Sequence, residues 1–177
     1  PPRSTPSNSS AASDVYKRQD KGYTNHEEIY MTDKLFLIDT NILVYAYDKS
    51  EKEKHEICKN LIIKCWNLNI EYAISLQNLS EFYVITTKKI ENPLSIKDAK
   101  NIIKDIINFR GWRKINFTPN TVMSAIDITR MYKTHYWDSL LAATMRENNV
   151  FCIYTENEKD FREIPWLEVI NPMAQTG

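Results

Sequence analysis

Lys34-Leu-Phe-Leu-Ile-Asp-Thr-Asn41 is a run of four apolar residues with a charge at its mouth and three short polar residues at its exit. An unbroken apolar run of this length suits a strand buried on both faces, as in a parallel sheet with helices packed above and below. A strand with one wet face would alternate instead. Asp39-Thr40-Asn41 ends the run with side chains that favour turns and helix caps. The Asp39 carboxylate therefore sits at the tip of a buried strand.

The same grammar repeats downstream. Ile57, Leu61, Cys65 and Leu68 step by four, four and three, which predicts a helix over 51–68. Glu71–Ser75 reads as a second strand. Leu76–Lys89 reads as a helix with Leu79, Phe82 and Tyr83 on one side, broken before Pro93. Ser95-Ile-Lys-Asp98 is an N-cap sequence, and Ala99, Ile102, Ile103 and Ile106 follow at helical spacing. Beyond Gly111, Ile115–Phe117 is expected as a short strand. Pro119 is expected to open a helix with Val122, Ile126 and Thr129 along its face. Asp138–Asn148 predicts another helix, with Asn148-Asn149 as its stop. Val150–Tyr154 and Leu167–Ile170 complete the strands. Strands alternating with helices predict an α/β sandwich, a mainly parallel central sheet flanked by helices. Ligands of such sheets bind beyond the carboxyl ends of the strands. Asp39 and the pair Thr155-Glu156 fall there.

Bulk properties narrow the classes. Twenty-three basic and 23 acidic residues give zero net charge, which argues against a chain-wide electrostatic grip on nucleic acid but leaves room for a local groove. Cys58, Cys65 and Cys152 are odd in number and widely spaced, unlike a disulfide framework or a structural zinc site, and imply a reducing cytoplasm. No apolar run approaches the roughly 18–20 residues of a membrane span. Residues 1–13, PPRSTPSNSSAAS, are too polar to fold and lack the apolar core of a signal peptide. Residues 9–19, SSAASDVYKRQ, resemble a translated sequencing adapter. The expectation is a non-native or disordered leader over 1–30, a natural start at Met31 and one folded domain over 31–177.

Three acids stand out, each with an ordinary alternative. Asp39 at the strand tip is equally placed to cap a helix. Asp138, at the start of an apolar helix, would favour the helix dipole. Glu81 lies mid-helix, where an exposed glutamate is commonplace. Together they could serve phosphodiester hydrolysis, which needs an activated water and neutralised phosphate charge. A hard cation bound by converging carboxylates supplies both. Other chemistries lack their residues: there is no GxxxxGK[ST] loop, no second Asp two residues after Asp39, and no serine or cysteine nucleophile motif.

Phe36-Leu-Ile-Asp-Thr-Asn-Ile-Leu-Val-Tyr-Ala-Tyr47, Gln77-Asn-Leu-Ser-Glu-Phe-Tyr83 and Tyr136-Trp-Asp-Ser-Leu-Leu-Ala-Ala143 resemble, in order, three acidic motifs of PIN-domain ribonucleases. The chain is most similar in character to the VapC-type toxins of bacterial toxin–antitoxin pairs, from about Lys34 to Pro172. The resemblance implies a three-layer sandwich, a Mg²⁺ or Mn²⁺ site and cleavage of single-stranded RNA. It implies that Asp39 and Asp138 hold metal, with Glu81 supporting the same site. It also implies a homodimer and a cognate antitoxin covering the active-site groove. The fourth motif departs from the pattern. In Thr155-Glu-Asn-Glu-Lys-Asp-Phe161, Asn157 stands where an Asp is usual, so Glu156, Asn157 and Asp160 are alternative contributors. Asn coordinates a hard cation through its carbonyl but brings no charge. That substitution keeps a catalytically weak or inactive RNA- or protein-binding module as the competing class. Thr40 and Asn41 are candidates for orienting Asp39 or contacting phosphate. Trp137 is expected to pack in the core, with stacking on a base as the alternative. His135 is a candidate for proton transfer and otherwise structural. Lys88, Lys89, Arg110, Arg113, Lys114, Arg130 and Lys133 are either a binding rim or solvated faces.

Overall fold

In the computed structural model, residues 34–174 are described. The leader 1–30 and Met31 lie outside the described residues. The apolar run forms β1 (Phe36–Ile38), all three residues buried. Four more strands lie parallel to it or to each other: β2 (Tyr72–Ser75), β3 (Trp112–Ile115), β4 (Cys152–Tyr154) and β5 (Glu168–Ile170). The sheet order is β3-β2-β1-β4-β5, with β1 at the centre.

Seven helices appear among the described residues: α1 (Thr40–Tyr47), α2 (Lys52–Trp66), α3 (Leu76–Lys88), α4 (Ile96–Asn108), α5 (Pro119–Tyr132), α6 (Tyr136–Glu147) and the short α7 (Glu158–Phe161). From β1 the chain steps to β2 and β3 on one side, then crosses to β4 and β5 on the other. Right-handed crossovers taken in opposite directions place their helices on opposite faces. Side-chain alternation records this. Phe36, Ile38, Tyr72 and Ile74 join a core with residues of α1–α4. Leu37, Ala73 and Ile153 join a second core with Ala125, Ile128 and the α6 residues Leu140–Ala143. The inner strands β2, β1 and β4 are buried throughout and feed both cores, so no polar face interrupts their sequences.

Two expectations are corrected. The third strand is Trp112–Ile115 rather than Ile115–Phe117. It is an edge strand, and its middle pair Arg113 and Lys114 points to water while Trp112 and Ile115 are buried. Charge on an edge strand blocks further pairing and hides the strand from a hydrophobicity pattern. On α5 the buried positions are Thr121, Ala125 and Ile128, one residue before the expected face, and Ile126 is 49% exposed. The small Ala125 side chain faces the core, where it permits close helix packing. Among the described residues no helix is long and apolar enough to cross a membrane.

Candidate active site

The change of direction between β1 and β4 is the topological switch point of the sheet, where α/β folds place their ligands. Asp39 follows β1 and Thr155 follows β4. Asp39 is the N-cap of α1, its Oδ1 accepting from the Thr40 N–H at 2.7 Å. Oδ2 accepts from Thr155 Oγ1 at 2.7 Å and Asn41 Nδ2 at 2.8 Å. Asn78 Nδ2, from the first turn of α3, reaches Oδ1 at 3.4 Å. Asp39 is therefore both a cap and a buried carboxylate, 8% exposed. Burial raises its pKa to about 6. Hydrogen bonds from Thr155, Thr40 and Asn41 oppose that rise, and the charge of Glu81 adds to it.

Glu81 is half-buried on α3. Oε2 accepts from Thr40 Oγ1 at 2.7 Å and Oε1 from Gln77 Nε2 at 3.0 Å. Thr40 also accepts from Asn78 Nδ2 at 3.0 Å. The capping box of α3 holds Asn78 in turn: Ser75 Oγ accepts from the Asn78 N–H and donates to Asn78 Oδ1. Thr40 and Asn41 thus orient Asp39 and Glu81 through their side chains.

Asp138 is in the first turn of α6 but does not cap it. The N-cap is His135, whose side chain makes no capping bond. No hydrogen bond or ion pair holds the Asp138 carboxylate among the described residues. Burial raises its pKa to about 6, followed by the charges of Asp160 and Asp39, with His135 opposing and Glu81 adding. Asp39, Glu81, Asp138 and Asn157 line one open cleft of ≈ 480 Å³.

The fourth segment divides. Glu156 accepts from Tyr45 Oη and Lys54 Nζ, each at 2.6 Å, through different oxygens. Burial works to raise its pKa, but these two bonds outweigh it and hold the carboxyl below its ordinary range. Its side chain is committed to α1 and α2. Asn157 lies on the cleft wall with its N–H bonded to Thr155 Oγ1. Asp160 on α7 acts on Asp138 by charge.

Other candidates separate by exposure and contact. Trp137 does not pack in the core; it is 62% exposed, because burial on α6 begins only at Ser139. Of the basic residues named from sequence, Lys89 lines the cleft. Arg113 pairs with Glu71 at 2.6 Å and Arg130 lies 3.7 Å from Asp127, as solvated faces do. The three cysteines are free and buried. Burial raises Cys58 and Cys65 to about 12 and Cys152 to about 11, which leaves no thiolate for nucleophilic work.

Whether a divalent cation suits this arrangement can be judged from the carboxyls themselves. Two acids are raised by burial and by neighbouring acids, and a cation would offset that charge. Among the described residues, no three His, Cys, Asp or Glu side chains are grouped closely enough to hold a metal ion together. Mg²⁺ does not need such a group, since it keeps several waters and takes one or two carboxylates. The donor set is all oxygen, as a hard cation requires, so the residues fit.

Thr155, which the sequence places at the ligand end of its strand, and Asn78, which sequence reading did not single out, both hydrogen-bond Asp39. The sequence signal was available: a Ser/Thr directly after β4, and an Asn three residues before Glu81 within the second acidic motif.

Comparison with known proteins adds relatives. The PIN domain family matches residues 36–167. The ribonuclease VapC24 of Mycobacterium tuberculosis is 25% identical over 144 residues, covering 79% of this chain and 98% of that protein. VapBC2 of Rickettsia felis, solved bound to a DNA fragment from its promoter, superposes with a TM-score of 0.53 at 25% identity, covering 77% of this chain and 98% of the matched one. VapC20 of Mycobacterium tuberculosis, a toxin that cleaves the sarcin–ricin loop, shares the fold with a TM-score of 0.56 at 14% identity, over 72% of this chain and 93% of that one.

Proposed function

The chain belongs to the PIN domain family, and from that premise we propose that it is a metal-dependent endoribonuclease that hydrolyses phosphodiester bonds of single-stranded RNA, acting in the cytoplasm as the toxin of a toxin–antitoxin pair. The observation that carries this reading is the convergence of Asp39, Glu81 and Asp138 from β1–α1, α3 and α6 on one cleft, with two of the three raised to about 6.

Asp39 and Asp138 would hold Mg²⁺ or Mn²⁺, with Glu81 supporting the same site. When bound, the ion supplies a water activated for attack and neutralises charge on the phosphate. Asp39 is fixed by donors on both oxygens, and its least engaged lone pair is on Oδ1, where Asn78 Nδ2 approaches only to 3.4 Å, so a cation would meet a carboxylate already held in place. Glu81 is held through one bond to each oxygen, leaving further lone pairs for waters of the site. Asn157 or Asp160 supplies the fourth contribution, because Glu156 is engaged by Lys54 and Tyr45. A cognate antitoxin belongs to the same reading, supported by the likeness to VapBC2, and so does a homodimer, which the family resemblance implies.

The test is cleavage of single-stranded RNA by the purified chain with Mg²⁺ or Mn²⁺. Product is expected, and is expected to vanish in EDTA and in Asp138→Ala. Metal-independent RNA binding with no product would overturn the nuclease reading in favour of a binding module, the alternative that Asn157 on the cleft wall supports. For the toxin role, induction in a host should arrest growth, with rescue by co-expressed antitoxin. Normal growth under strong induction of soluble protein would refute it.

A further inference from the structure

Glu81 has a second side. Across it from the acidic cleft, Leu76, Gln77, Ser80, Phe117, Trp137 and Leu140 enclose a groove of ≈ 490 Å³ that also touches Glu81. Its walls carry large apolar side chains left in water: Trp137 is 62% exposed, Phe117 41% and Leu76 40%. No lysine or arginine lines it, and Glu81 is its one charged wall. A phosphate would be repelled there, whereas a flat neutral group would be favoured. Trp137 also precedes Asp138 directly in the first turn of α6. Glu81 lines both the groove and the cleft that holds Asp138, so a strand whose phosphate lies at Asp138 can run across Glu81 to the indole. Gln77 makes the coupling physical: its Nε2 donates to Glu81 Oε1 at 3.0 Å and to the Trp137 carbonyl at 3.2 Å. One amide thus ties the groove wall to the acidic site.

We infer that this groove receives one unstacked nucleobase of the substrate, next to the scissile phosphate, with Trp137 as its stacking platform. The inference rests on the nuclease reading above. Stacking on an aromatic face is tolerant of base identity, so the groove confers a demand for unpaired substrate more than for a particular base. It supplies a reason of this chain's own for single-stranded RNA, because a base held in a helix cannot enter it.

The experiment has two arms, both on the full chain. In the first, anisotropy of a short, fluorescently labelled, mixed-sequence RNA strand reads binding in Ca²⁺ without turnover. Trp137→Ala is expected to weaken binding about tenfold, within the range of one stacked base, and Trp137→Phe to keep most of it. Because Trp137 is exposed, both variants are expected to melt at the wild-type temperature, which separates lost stacking from lost folding. In the second arm, cleavage with Mg²⁺ is followed on strands that each lack one base. Wild type should slow at one position beside the cut bond, and Trp137→Ala should show no further loss at that position. Wild-type binding by Trp137→Ala would overturn the inference, as would abasic losses that add fully to its defect at every position. A Trp137→Ala variant changed only in self-association would assign the groove to a second copy of the chain. If wild type binds but never cleaves, the nuclease reading fails and the binding arm alone decides. If wild type does not bind single-stranded RNA, both fall.

Discussion

Thr155 gathers more of the site than its size suggests. It is fully buried, donates to Asp39 Oδ2, and accepts from Asn41 Nδ2 and the Asn157 N–H. One hydroxyl thus joins the ends of β1 and β4. Burial raises Asp39, and the Thr155 bond is the largest force opposing that rise. Thr155→Val keeps the shape and removes the donor. Asp39 should then climb above about 6, by about one pKa unit if the bond is worth about 1.5 kcal/mol. The acid limb of the pH–rate profile should move up with it, with activity at pH 7 falling about twofold. An unmoved limb would mean that Thr155 does not hold the charge of Asp39. Asp138 invites the opposite substitution. Its carboxylate is disfavoured by burial and by the charges of Asp160 and Asp39. Asp138→Asn removes that penalty along with the ligand. In EDTA its melting temperature should rise by about 2–4 °C, the shift for about 1 kcal/mol, while cleavage falls at least about a hundredfold. A variant that loses activity and stability together would make Asp138 a structural residue.

At the scale of elements, α3 is the piece whose placement matters most, because it carries both Asn78 and Glu81. Its first turn is fixed by the Ser75–Asn78 capping box. Ser75→Ala should cost about 1 kcal/mol, read as a lower urea midpoint with an unchanged slope. Cleavage should fall as well, since Asn78 would no longer be held against Thr40 and Asp39. Full activity in Ser75→Ala would show that α3 needs no cap to present Glu81. The legible elements were those with a clean period. β1 and α4 announce themselves because each buries either a whole strand or one helical stripe. α2 is a helix as expected but buries His55, Cys58, Ile62 and Cys65, and Leu68 of the expected face is 45% exposed. α1 did not announce itself, because Ile42, Leu43, Val44 and Ala46 are all buried and its β-branched and aromatic residues suit a strand equally well. Only the Asp39 cap marks it as a helix. The site divides in the same way. Asp39, Glu81 and Asp138 sit in recognisable local contexts. Asn78 and Thr155 have local signals too, but their bonds to Asp39 span 39 and 116 residues, so only the fold shows what they hold. Trp137 was misjudged because its exposure depends on where α6 leaves the neighbouring layer.

For the whole molecule, the decisive fact is that a neutral chain brings Asp39, Glu81 and Asp138 to one cleft at the carboxyl end of its sheet. Asp39 and Asp138 have folded-state values near 6 against an ordinary 3.8, so between those limits the folded protein binds more protons than the unfolded chain. Stability of the metal-free protein must then fall as pH rises through about 4 to 6 and stay low above it. Glu156 and Glu168, held below their ordinary range, act with the opposite sign, but their window lies below their ordinary value of 4.5. The two effects are therefore separable by pH. In EDTA the chain should melt at a higher temperature at pH 5 than at pH 7. Mg²⁺ should reverse the order. It binds the deprotonated acids, so at saturating concentration it should stabilise by about 2–3 kcal/mol at pH 7 and by much less at pH 5, where protons compete. Thermal melts at the two pH values, with and without Mg²⁺, measure all four corners of this cycle. Melting temperatures that rise from pH 5 to 7 in EDTA and ignore Mg²⁺ would place the chain's strained charge somewhere other than this cleft. The expected pattern would link stability, metal and catalysis through the same two carboxyls, which fold at a disadvantage until a cation arrives.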